Sequence, residues 1–92
     1  MNKIDELSVG QIVKSKAGRD KDRNFIVIKK VDCQYVLIAD GDLRKVDNLK
    51  RKKVRHLLIY NLISEEVRKR VLNDDKITNL LLRKELEKLG LN

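Results

Sequence analysis

The sequence predicts a mainly β protein: a small closed five-stranded barrel followed by a C-terminal two-helix hairpin. Two observations carry this. Before about residue 60, Val, Ile and Tyr fall in short runs bounded by turn residues, and after it Leu, Glu, Lys and Arg dominate. The first part also fits five such runs into about fifty residues, and closing them into a barrel would leave few exposed edges. The units are drawn at 1–62 and 63–92.

The elements follow in order. Ile12-Val13-Lys14-Ser15-Lys16, after Gly10, reads as the first strand. Phe25 to Lys30 is the second, apolar on both faces in its middle, and Tyr35 to Ala39 is the third. Asp40-Gly41 is a hairpin turn signal, because Gly accepts the positive φ such turns need. Leu43 to Val46 is expected to return from it, and His56 to Tyr60 to close the barrel. Ser64 can cap a helix with Glu65 and Glu66 in its positive first turn, and Val67 and Val71 share one face. Asn73-Asp74-Asp75 breaks that helix. Thr78 or Asn79 can cap a second one, with Leu82, Leu86 and Leu89 on one stripe and Gly90 as its stop.

Ninety-two residues without Pro or Trp allow one domain with a modest core. A single cysteine, Cys33, excludes an internal disulfide. No apolar run approaches the ~18 residues of a membrane span, and no signal-peptide pattern occurs in the first thirty residues. The simplest expectation is a cytoplasmic monomer without cofactor.

Catalytic and metal chemistry find little support. Asp20, Asp22 and Asn24 have the first three spacings of an EF-hand loop, but Phe25 stands where Gly must turn the chain and Val31 where a bidentate Glu is needed. Cys33 and His56 are one Cys and one His, for which chance is a better account than a catalytic dyad. Four zinc ligands and a Gly-rich phosphate loop are both missing from the sequence. The expectation is a protein that is not an enzyme.

The charge is more informative. The net charge is +8, and residues 10–56 hold fourteen Lys/Arg against six Asp, so the excess lies there. Such a field favours polyanions, nucleic acid first. The cations form three clusters: Lys14, Lys16, Arg19, Lys21 and Arg23; then Arg44 and Lys45; then Lys50-Arg51-Lys52-Lys53 with Arg55 and His56. Charge runs are usually solvated surface. Lys50 to Arg55, however, has five basic residues in six and no acid, a self-repelling run that calls for an anionic partner. In a five-stranded barrel the first and third clusters can meet at one end as a single patch. Asp20 and Asp22 have two readings, as plain turn formers or as partners that aim Arg19 and Arg23.

The stretch Val9-Gly10-Gln11-Ile12-Val13-Lys14-Ser15-Lys16-Ala17-Gly18-Arg19-Asp20-Lys21 resembles the start of a KOW motif. Ala39-Asp40-Gly41, Leu43-Arg44-Lys45-Val46, Lys50-Arg51-Lys52-Lys53 and His56-Leu57 follow in the same family's order. The chain is similar over residues 9 to about 58 to small bacterial KOW-domain RNA-binding proteins, related to large-subunit ribosomal proteins of archaea and eukaryotes. The resemblance implies an SH3-like barrel whose loops contact structured RNA, usually ribosomal RNA. The RNA-facing parts would be the Gly10 turn, the Gly18-Arg19-Asp20-Lys21 loop, Arg44-Lys45 and the Lys50–Lys53 run. Two positions depart from the pattern: Asp22 replaces a Gly, and Leu49 replaces a Pro.

The expected function is therefore binding of structured RNA at the ribosome or during its assembly. With about five phosphates neutralised on a single strand, log affinity should fall with log salt at a slope of roughly −3.5. Few aromatics are available to stack on bases, so recognition of shape is expected. Reversing Lys50, Arg51 and Lys52 to Glu is expected to abolish binding and spare the fold. The alternative is a protein-interaction adaptor of the transcription or translation machinery, docking through Leu82, Leu86 and Leu89; the favoured expectation is that this stripe covers the barrel or the first helix.

Overall fold

A computed structural model of the chain describes residues 7–91. Residues 1–6, among them Lys3, Asp5 and Glu6, lie outside the described residues. Five strands form one antiparallel sheet: β1 (Gln11–Ser15), β2 (Asn24–Lys30), β3 (Tyr35–Ala39), β4 (Lys50–Lys53) and β5 (Leu57–Ile63), in the order β4-β3-β2-β1-β5. A single 3-10 turn, Val54–His56, leads from β4 to β5. Two helices follow, α1 (Glu65–Leu72) and α2 (Asn79–Lys88).

The sheet is not closed into the expected barrel. No ladder joins β4 to β5 among the described residues, so both are edges. Its two faces carry separate apolar clusters. On the inner face Val13, Phe25, Val27, Val36 and Ile38 meet Leu7, Val54 and Leu57. On the outer face Ile12, Ile26, Ile28 and Ala39 meet Val67 of α1 and Leu82 and Leu86 of α2. This is why β2 is apolar on both faces: each side is covered, and full burial of a large apolar side chain contributes about 1.5–3 kcal/mol. The Leu82/Leu86 stripe packs on the sheet, in line with the favoured expectation.

The expected strand Leu43–Val46 does not form. The Asp40 carboxylate accepts from the backbone N–H groups of Asp42 and Arg44, at 3.0 and 2.8 Å, and the N–H groups of Asp40 and Gly41 return to the Arg44 carbonyl. Val46 N–H donates to Asn79 Oδ1 at 2.8 Å. The N–H and carbonyl of Arg44 and the N–H of Val46 are thus engaged locally and with α2 and are not available to a ladder. Gly41 has φ +79°, and a Cβ there would run into the Asn79 carbonyl. The fourth strand is instead the basic run itself, paired Lys53 with Tyr35, Lys52 with Val36, Arg51 with Leu37 and Lys50 with Ile38. His56 belongs to the 3-10 turn, and β5 runs on to Ile63.

The helix signals hold. Ser64 Oγ accepts from Val67 N–H and donates to the buried Glu85 Oε1 at 2.6 Å, tying α1 to α2. Thr78, rather than Asn79, caps α2. Asp74 at φ 58° turns the chain out of α1, and Gly90 at φ +78° stops α2.

Candidate nucleic-acid interface

The loop joining β1 to β2 is tightly folded. Asp22 N–H bonds to the Ser15 carbonyl at 2.8 Å, Arg23 N–H to Asp20 and Lys21 N–H to Gly18. Asp22, where the resemblance to a KOW motif implies Gly, takes φ 73°, a left-handed conformation that Asp tolerates. At the base of the loop lies a buried polar cluster. Lys52 Nζ donates to Asp20 Oδ1 and to the Ala17 carbonyl, both at 2.8 Å, and Ser15 Oγ lies 2.7 Å from the same Asp20 oxygen. Burial alone would push the Asp20 carboxyl up. Hydrogen bonds from Lys52 and Ser15, with the Lys52 charge, outweigh it and hold the group below its ordinary value of 3.8.

This geometry redistributes the expected RNA-contacting residues. Strand alternation divides the basic run: Lys50 and Lys52 point to the inner side with Val36 and Ile38, and Arg51 and Lys53 point to the outer side with Tyr35 and Leu37. Lys52, only 7% exposed, is therefore an internal tether and not a free cation. Arg23 donates to Asp40 Oδ2 at 2.9 Å and Asp42 Oδ2 at 3.2 Å; its hydrogen bond to Asp40 holds it firmly protonated. The expectation that Asp20 and Asp22 aim Arg19 and Arg23 is thus corrected. Asp20 binds Lys52, and Arg23 binds carboxylates from the β3–β4 loop.

The remaining expected cations sit at the surface. Lys16, Arg19, Lys21, Lys45, Arg51 and Arg55 are exposed, and Lys14, Arg44, Lys50, Lys53 and His56 are half-buried. The Lys52 tether fixes the base of the Arg19/Lys21 loop against β4. None of Lys16, Arg19, Lys21, Arg51 and Lys53 has a carboxylate partner among the described residues.

Two residues escaped the sequence reading. Lys29 is exposed on β2, in register with Leu37 and through it with Arg51. Tyr35 lies under the Arg51 guanidinium, 4.0 Å from ring centroid to Cζ, with Lys53 Nζ 5.7 Å away. Only the strand register reveals this grouping, since Lys29 and Arg51 are far apart in the chain.

The fold and site define a small antiparallel sheet, covered on part of one face by two helices and carrying unpaired cations on a loop and on an edge strand. No family model matches the chain. It is 28% identical over 71 residues to "Putative ribosome-binding protein YbzG" of Bacillus subtilis (strain 168), an alignment covering 77% of this chain and 96% of that protein. Among the described residues, no helix is long and apolar enough to cross a membrane.

Proposed function

We propose that this chain is an SH3-like, KOW-type module that binds structured ribosomal RNA on the large subunit or its precursors, in a binding role without catalysis. The observation that carries this reading is the buried Lys52–Asp20 tether. It removes one lysine and one aspartate from the surface and holds Arg19 and Lys21, unpaired, beside the basic edge strand. The strand order, with a 3-10 turn leading into the last strand, supports the SH3-like assignment, and similarity to a protein named for ribosome binding supports the target. Phosphate contacts supply most of the affinity, so binding weakens with salt. The stripe offered as one contact for the adaptor reading is occupied, since Leu82 and Leu86 are buried against the sheet.

The test is sedimentation of the native protein from a cell lysate, with and without RNase. Co-migration with the large ribosomal particle, abolished by nuclease treatment or high salt, is the expected result. Migration as a free small protein, or a complex that survives nuclease, overturns the reading.

A further inference from the structure

We infer that the outer face of β2-β3-β4 is a second RNA subsite, one that takes an unpaired base in a stack with Tyr35 and Arg51. This deepens the function proposed above and rests on it. The helices cover the Ile12/Ile26/Ala39 part of this face and leave the part built from Lys29, Tyr35, Leu37, Arg51 and Lys53 at least partly open to solvent. Strand pairing sets Lys29, Leu37 and Arg51 in one row and Tyr35 with Lys53 in the next. The Arg51 guanidinium already lies over the Tyr35 ring at 4.0 Å, so a flat, π-faced cation is presented on a rigid strand and not on a loop. A base splayed out of a helix can continue that stack, as bases do on aromatic rings and guanidinium planes.

The charge fits the same ligand. Lys29 and Lys53 flank the stack and lack carboxylate partners among the described residues, so both are free to meet phosphates. Arg19 and Lys21 belong to the loop on the other side of the Lys52 tether. That loop has no aromatic residue and offers charge alone to a phosphate backbone, whereas the sheet face, with its stack, suits a looped-out or single-stranded nucleotide. The two subsites together would read a junction between paired and unpaired RNA.

The experiment uses the full chain and two probes of equal length: a ten-nucleotide oligouridylate and a blunt RNA duplex. Binding is followed by anisotropy, and stacking by the indole fluorescence of a Tyr35→Trp variant, the parent chain having no Trp. Tyr35→Ala is expected to weaken the single strand about tenfold, the scale of one base–aromatic stack, and to leave the duplex unchanged. Tyr35→Phe keeps the ring and should bind as the parent does. The indole emission of Tyr35→Trp should be quenched by the single strand and not by the duplex. Unchanged single-strand affinity in Tyr35→Ala, or an unquenched indole with the single strand bound, overturns the stacking site while leaving the proposed function intact. A parent protein that binds neither probe overturns both.

Discussion

Lys52 Nζ lies 2.8 Å from Asp20 Oδ1, and both side chains are more than nine-tenths buried. One residue comes from the edge strand and the other from the β1–β2 loop, so the pair joins two elements that no ladder connects. A buried ion pair left with one member is costly, because the survivor keeps a desolvated charge.

Removing either partner should therefore destabilise the protein strongly. Lys52→Met and Asp20→Asn are each expected to cost about 3–5 kcal/mol in urea unfolding, and the double variant less than their sum. Lys50→Met on the same strand should cost under 1 kcal/mol, roughly the scale of a surface change. A Lys52→Met protein as stable as Lys50→Met would contradict the tether.

This alters the expected charge reversal of Lys50, Arg51 and Lys52. Lys52→Glu would set a carboxylate against Asp20, so that triple variant should lose its fold along with its binding. A cleaner test is Arg19→Glu with Lys21→Glu, which touches no ion pair. Its unfolding should match the parent's, and the log–log salt slope should flatten by about 0.7–0.9 for every phosphate that the loop no longer neutralises, the higher value applying to paired RNA. An unchanged slope would remove the loop from the interface.

Acid should loosen the same tether. The Asp20 carboxyl is held below its ordinary 3.8, so the unfolded chain takes up the proton more readily than the folded one. The pair's contribution is fully present above about pH 4, the unfolded carboxylate range. It is lost as pH falls through the lower folded value. Melting temperature followed from pH 6 to pH 2 should show a decline below about pH 4 that is shallower in Asp20→Asn. Parallel curves for the two proteins would show that Asp20 titrates as a free carboxyl.

Asp22 holds φ 73° without being glycine. Asp22→Gly should stabilise the folded state by about 1 kcal/mol through relief of the left-handed conformation, less the entropy a glycine adds to the unfolded chain. With that entropy subtracted, the net gain is at most about 0.5 kcal/mol, a rise of roughly 2–4 °C at most in thermal melts. A fall in melting temperature would mean that the Asp22 side chain itself supports the turn.

Much of the architecture was legible from local chemistry. The runs Phe25 to Lys30 and Tyr35 to Ala39 are strands because they are short continuous apolar stretches, rich in β-branched and aromatic residues, bounded by polar and turn residues. Ser64, Thr78 and Gly90 begin and end helices because their side chains, or the absence of one, satisfy helix ends. The error at Leu43–Val46 has a tertiary cause. Asp40 and Asn79 capture the backbone of that segment, and Asn79 lies far away in sequence on α2.

The sequence by itself determined that the chain is basic, with its excess charge in the strand-rich part, and that β2 must be covered on both sides. Those properties are sums over residues or follow from neighbours in the chain. Tertiary structure decided which cations face outward. In a strand of alternating direction, one step separates an exposed Arg51 from a buried Lys52, and nothing in Lys50-Arg51-Lys52-Lys53 marks the register. Pairing with β3 sets that register, places Val36 beside Lys52 and Tyr35 beneath Arg51, and thereby makes one lysine a tether and its neighbour part of a surface.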